Sequence, residues 1–165
     1  MAHTPAEASQ GDALVEPSRV LLVDDQPEVR RVVRRHLVRA RYVVVEAWNG
    51  RIAIDLAREA SFDLVISDVR MPDMSGLELL SALQEHDPDL PVVLASGSLD
   101  PQALREAREL GAFAFLDKPF AFETMREVAS RAIAHRRALL ASREHFEPFF
   151  SLERLRVARP EDEDG

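Results

Sequence analysis

The sequence predicts a doubly wound α/β sandwich, a five-stranded parallel sheet of order 2-1-3-4-5 covered by helices on both faces. Three observations predict it. Five apolar runs of four or five residues recur along the chain, each followed by an amphipathic stretch. Every run-to-run distance accommodates a helical crossover, which parallel strands require. The runs also stop on polar residues, Asp24-Asp25, Asp68, Ser96 and Lys118 among them. In an open parallel sheet the carboxyl ends of the strands form the ligand-binding edge.

The elements follow in order. Residues 1–17 carry Ala, Glu, Ser and Pro without apolar periodicity and read as a mobile tail. Arg19–Val23 (RVLLV) is the first strand. Pro27 suits a first helical position and Glu28 the first turn, beside the positive end of the helix dipole. That helix runs to about Ala40, with Val29, Val32, Val33 and Leu37 on one face and Arg30, Arg31, Arg34, Arg35 and Arg39 mostly elsewhere. Tyr42–Val45 is the second strand. Asn49-Gly50 opens a second helix that turns Ile52, Ala53, Leu56, Ala57 and Ala60 inward.

Asp63–Ser67 is the third strand, and Pro72 forbids its continuation through a central sheet position. Ser75 and Glu78 have capping-box spacing ahead of Leu77, Leu80 and Leu83. Pro91–Ala95 is the fourth strand. Asp100-Pro101 starts the fourth helix and Gly111 closes it. Phe113–Leu116 is the fifth strand. The fifth helix spans about Phe122 to Leu140, with Met125, Ala129, Ala132, Ile133 and Leu140 as its buried side. Domain bounds follow as a tail over 1–17, a folded unit over 18–142 and an extension over 143–165.

Composition narrows the function classes. Of 165 residues, 46% are apolar, enough for a real core. No run approaches the ~18–20 apolar residues of a membrane span, and the N-terminus lacks the basic start and apolar stretch of a secretory signal. With no cysteine, thiol chemistry and Cys-ligated metals are excluded. A cytoplasmic location and no membrane partner are the expectations. The net charge of −8 argues against general nucleic-acid binding. The cations are 20 arginines and a single lysine, Lys118. A site that needs a compact ammonium rather than a planar fork accounts for that exception.

In the order 2-1-3-4-5, strands 1 and 3 are neighbours, so Asp24, Asp25 and Asp68 fall side by side. Ser96 from strand 4 and Lys118 from strand 5 complete the edge. Three adjacent carboxylates repel one another, and a hard divalent cation such as Mg²⁺ relieves this through oxygen ligands. With Lys118 the set is formally neutral. Such a cavity suits phosphoryl transfer, where positioning and charge stabilisation dominate, and a carboxylate can itself be the acceptor. Singly, each residue is an ordinary turn or capping group; the specificity lies in four strand ends meeting.

The pieces LLVDDQP, LVISDVRMPDMSGLELL, VVLASG and FAFLDKPF, over roughly residues 18–141, resemble the receiver domain of two-component response regulators, a flavodoxin-like (βα)5 fold. The resemblance implies that Asp68 accepts a phosphoryl group from a histidine kinase or phosphotransfer protein. It implies Mg²⁺ as cofactor, held by Asp25 directly, by Asp24 largely through water, by Asp68 and by the Arg70 backbone carbonyl. Ser96 corresponds to the hydroxyl that turns to the phosphoryl group, Lys118 to the lysine that pairs with it, and Phe115 to the aromatic that swings inward. The Lys118–Pro119 bond is cis in the family. The output surface is helix 4, strand 5 and helix 5, and the protein is not an enzyme beyond its own phosphorylation and dephosphorylation.

Alternatives stay open at this point. Phe115 reads equally as an ordinary core aromatic. Arg70 and Ser98 depart from a fixed pattern near the acceptor, and the sign of their effect on phosphoryl lifetime is open, while the small Gly97 leaves room for donors. The helix 1 arginines read as a solvated face, with nucleic acid and kinase docking as rivals. Phe146, Phe149 and Phe150 either pack on helix 5 or form a contact patch, with a homodimer as one outcome. The sequence resembles a stand-alone receiver; a receiver cut from a longer protein and a phosphorylation-independent pseudo-receiver are the other options. An Asp-x-Asp phosphatase is disfavoured because Gln26 stands two residues after Asp24.

Overall fold

In the computed structural model, residues 15–98 and 100–142 are described. The elements are β1 (Arg19–Val23), α1 (Pro27–Arg39), β2 (Val43–Ala47), α2 (Gly50–Glu59), β3 (Leu64–Asp68), α3 (Gly76–His86), β4 (Val92–Ser96), α4 (Pro101–Glu109), β5 (Ala114–Asp117) and α5 (Phe122–Ser142). All strand pairs are parallel, and the sheet order is β2-β1-β3-β4-β5. The predicted architecture and order are those observed.

The central strands are apolar because both faces are covered. Val20, Leu21, Val23, Leu64, Val65, Val92 and Leu94 are fully or almost fully buried, and Leu79, Leu80, Leu83, Met125 and Ala132 close over them from the helices. The capping box of Ser75 and Glu78 forms as read, with Ser75 Oγ accepting from the Glu78 N–H and Glu78 Oε2 accepting from the Ser75 N–H. Asn49 caps α2 and Asp100 caps α4, their side chains accepting from the Ile52 and Gln102 N–H groups respectively.

Three details differ from the sequence reading. β3, β4 and β5 each begin and end one residue later than read, at Leu64–Asp68, Val92–Ser96 and Ala114–Asp117, because Asp68 pairs with Ala95 and Ser96 with Asp117 across the ladder. The strand ends thus carry the polar residues themselves. β2 begins at Val43 rather than Tyr42, since the backbone turns through Arg41 (φ 68°) and the Tyr42 N–H returns to the Leu37 carbonyl, and it runs past Val45 to Ala47, which pairs with Val23. Val32 and Leu140, predicted inward, are 42% and 56% exposed. Val32 lies one 100° step off the stripe of Val29, Val33 and Leu37. Leu140 lies near the end of a 21-residue helix, about 31 Å long, which outruns five-residue strands of about 17 Å.

The inner face of α5 also carries a charge the apolar pattern had passed over. Arg136 is buried, and its Nη2 donates to Asp87 Oδ2 at 2.8 Å. This pair joins α5 to the loop after α3. The aromatic cluster Phe146–Phe150 and residues 1–14 of the tail lie outside the described residues.

Removing one partner of this pair should expose its cost. Asp87→Ala leaves the Arg136 guanidinium buried without its carboxylate. The expected loss is about 2–3 kcal/mol, below the roughly 3–5 kcal/mol of a fully buried pair because Asp87 is partly hydrated. Urea denaturation measures it, and Asp87→Ala at wild-type stability would show the pair to be inert.

Candidate functional site

The carboxyl edge of the sheet brings together what the motifs separate in sequence. β1 ends before Asp24 and Asp25, and β3 ends on Asp68. One carboxylate oxygen from each of Asp24, Asp25 and Asp68 lies within 4.8 Å of the others. Lys118, just past β5, reaches across with Nζ at 3.4 Å from Asp24 Oδ2 and 3.6 Å from Asp68 Oδ1. Its own backbone N–H donates to the Ser96 carbonyl at 2.8 Å, which holds the end of β5 against β4. The Lys118–Pro119 peptide is cis.

The acids differ in what the protein gives them. Asp24 is 4% exposed. Its Oδ1 accepts from the Gln26 N–H at 2.9 Å and its Oδ2 faces Lys118. Burial pushes the Asp68 carboxyl above its ordinary range; the Lys118 ammonium opposes the rise and Asp24 adds to it. Asp25 Oδ1 is buried and has no hydrogen-bond partner. A buried carboxylate oxygen without a donor is costly. This orphaned oxygen, beside two more carboxylates, fits a hard divalent cation of the Mg²⁺ class, which takes oxygen ligands. Arg70, whose carbonyl the family resemblance adds to the set, lies two residues past Asp68 with its side chain exposed.

The loop after β3 is pressed onto Asp68. The Gly76 N–H donates to the Val69 carbonyl at 2.8 Å, and Ser67 Oγ donates to the Asp68 carbonyl at 2.9 Å. A Cβ on Gly76 would collide with the Asp68 carbonyl oxygen and sit 2.9 Å from Val69 Cα. Gly76 therefore lets the first turn of α3 rest directly on the backbone of Asp68. The sequence signal was available, since glycine is a poor choice for a first helical turn unless something comes close.

Ser96 and Phe115 are placed differently. Ser96 is 2% exposed, but its hydroxyl donates to the Ser98 carbonyl at 3.2 Å and accepts from the Ser98 N–H at 3.3 Å. It faces its own loop, not the acids. Phe115 lies in the core at 4% exposure. Arg30 was read as part of a solvated face; instead its Nη1 donates to the Asp24 carbonyl at 2.6 Å.

Comparison with known proteins agrees with this geometry. The family model described as the response regulator receiver domain matches residues 20–130. The C4-dicarboxylate transport transcriptional regulatory protein DctD of Pseudomonas aeruginosa is 38% identical over 127 residues, covering 76% of this chain and 27% of that protein. The regulatory protein AtoC of Escherichia coli is 32% identical over 116 residues, 70% of this chain and 25% of that protein. The chain thus spans about a quarter of the length of these relatives. Among solved structures, the chemotaxis protein CheY4 of Vibrio cholerae is similar with a TM-score of 0.68 at 34% identity, covering 71% of this chain and 99% of that one. The response regulator TrrA of Thermotoga maritima, in complex with Mg²⁺ and BeF, has a TM-score of 0.65 at 27% identity, covering 70% and 98%.

Two outcomes are expected. Gly76→Ala should destabilise the fold by about 1–3 kcal/mol, as forced overpacking does, whereas Gly97→Ala, with nothing near its Cβ, should be close to neutral; paired thermal melts compare them. The second concerns charge. The folded state raises the Asp68 pKa above 3.8, so folding favours the protonated form. The stability this contributes is present below the unfolded pKa and lost as pH rises through the folded one. In chelator at pH 7, Asp68→Asn should therefore melt a few degrees above wild type, and the gap should close as pH falls below about 4. A gap independent of pH would contradict the assignment.

Proposed function

The chain belongs to the response regulator receiver domain family, and from that premise we propose that Asp68 is its phosphoryl acceptor. The observation that carries the proposal is the meeting of Asp24, Asp25, Asp68 and Lys118 at one sheet edge. Asp25, Asp24, Asp68 and the Arg70 carbonyl would hold Mg²⁺. When bound, the cation offsets the charge of the carboxylates and of the incoming phosphoryl oxygens.

The chain's own residues do the rest. The donor is a phosphohistidine on a histidine kinase or phosphotransfer protein. Its N–P bond breaks with the electron pair left on the imidazole, and an Asp68 carboxylate oxygen forms the new O–P bond. The product is an acyl phosphate, and attack of water on phosphorus returns Asp68 and inorganic phosphate. Lys118 exchanges part of its contact with Asp24 and Asp68 for a phosphoryl oxygen. The backbone held by Gly76 and Ser67 keeps the attacking carboxylate from retreating. The reaction is the protein's own modification, not turnover of a separate substrate.

The added charge of about −1.5 to −2 then biases the loop after β4. Ser96 Oγ exchanges the Ser98 carbonyl for a phosphoryl oxygen, and the α4–β5–α5 surface changes its fit to a partner protein. Phe115 is buried, which supports a second reading of that ring as an ordinary core aromatic. Among the described residues no helix is long and apolar enough to cross a membrane. The helix 1 arginines, of which Arg30 and Arg34 pair with Glu46, suit docking of a protein better than nucleic acid.

Incubation with Mg²⁺ and a small phosphodonor such as acetyl phosphate tests the acceptor. Mass spectrometry should find one phosphoryl group on wild type and none on Asp68→Asn. Lys118→Ala should slow the incorporation about a hundredfold, the usual loss for one charge-stabilising donor. Labelling that persists in Asp68→Asn would place the acceptor elsewhere.

A further inference from the structure

We infer that Arg30 is a positioning residue for the divalent-cation site, held in place by Glu46; this rests on the phosphoacceptor reading above. Of the five arginines on α1, Arg30 alone turns inward. Its side chain is 16% exposed, whereas Arg31, Arg34, Arg35 and Arg39 are exposed. Its Nη1 donates to the Asp24 carbonyl at 2.6 Å. Its Nε is buried without a hydrogen-bond partner and forms an ion pair with Glu46 Oε1 on β2 at 3.6 Å, while the other oxygen of Glu46 lies 3.6 Å from Arg34 Nε.

From the opposite side, the Asp24 N–H donates to the Ala47 carbonyl at 3.1 Å. Ala47 directly follows Glu46 on β2. Both backbone groups of Asp24 are therefore tied to α1 or β2, one by a charged donor. The Asp24 carbonyl belongs to the peptide that leads into Asp25, so orienting it orients the base of the Asp25 side chain. That side chain needs the help, because its Oδ1 has no partner in the protein. A carboxylate whose own oxygen is unanchored keeps its aim only through the backbone beneath it. Bonds to charged groups are the stronger class, and groups that orient a metal's ligands are worth 10–100-fold in metal affinity.

The arrangement also explains Glu46, an exposed acid on an edge strand. It offsets the guanidinium charge locally at 3.6 Å, while Nη1 donates to the Asp24 carbonyl. Arg34 steadies Glu46 from the next turn of α1.

The test uses the full chain and Mg²⁺ alone. Thermal shift against Mg²⁺ concentration reads affinity, and hydrogen exchange at the Asp25 amide in chelator reads backbone order without metal. Arg30→Gln should weaken Mg²⁺ binding about tenfold and speed exchange at Asp25. Arg30→Lys should recover part of both, since an ammonium can still donate to one carbonyl. Glu46→Gln should shift both in the same direction by less, and the double variant should be no worse than Arg30→Gln, as for residues acting through one contact. If Arg30→Gln does not fold, Arg30→Lys and Glu46→Gln carry the comparison. Wild-type Mg²⁺ affinity and wild-type Asp25 exchange in these variants would overturn the inference. A wild type that ignores Mg²⁺ would sink the acceptor reading instead, and the Asp25 exchange would still decide whether Arg30 orders that peptide.

Discussion

The constraint on which the structure depends is mutual repulsion among three carboxylates within 4.8 Å at a largely buried sheet edge. Burial raises the Asp68 carboxyl above its ordinary range, and the Asp24 charge adds to the rise. One ammonium, from Lys118, stands against them. The polypeptide cannot relax by letting the acids drift apart, because Asp24 and Asp25 follow β1 directly and Asp68 ends the neighbouring β3. Adjacent strands lie about 4.8 Å apart, and Val23 of β1 pairs with Ser67 of β3, so the residues that follow are forced into proximity.

Much of the surrounding backbone can be understood as resistance to that repulsion. On one side, Arg30 and Ala47 hold both backbone groups of Asp24. On the other, α3 begins at Gly76, close enough to press on the Asp68 carbonyl. Below, the Ser96 carbonyl anchors the Lys118 backbone. The apolar core supplies the rigidity; Leu21, Val65 and Leu94 beneath the site are fully buried and close-packed interiors yield little. The result is a charge cluster whose strain is available to a ligand, which is the physical basis for the proposed Mg²⁺ and phosphoryl chemistry.

The switch proposed for this fold carries less geometric commitment. Ser96 is satisfied within its own loop by Ser98, and Phe115 is buried. Phenylalanine has no hydroxyl to reward an outward state, so burial decides its place by default.

Fold and site were legible in the sequence to different depths. Strand and helix identities and the polar strand ends Asp24, Asp25, Asp68 and Lys118 follow from apolar periodicity and from the way each run ends, because burial on both faces of a parallel sheet writes itself directly into residue type; the sheet order follows from the usual winding of five such units. Helix details were less legible. Val32 and Leu140 have the right residue type, but their burial depends on a 100° step and on where the sheet ends. Arg30 and Arg136 have the wrong type for burial, and only a facing carbonyl or carboxylate makes it tolerable. By itself, then, the sequence determined the fold and which acids share an edge. Only the tertiary structure decided which arginine turns inward, why Gly76 is glycine and which way Ser96 points, because each is set by a partner distant in the chain or by a local rotamer that composition and spacing do not encode.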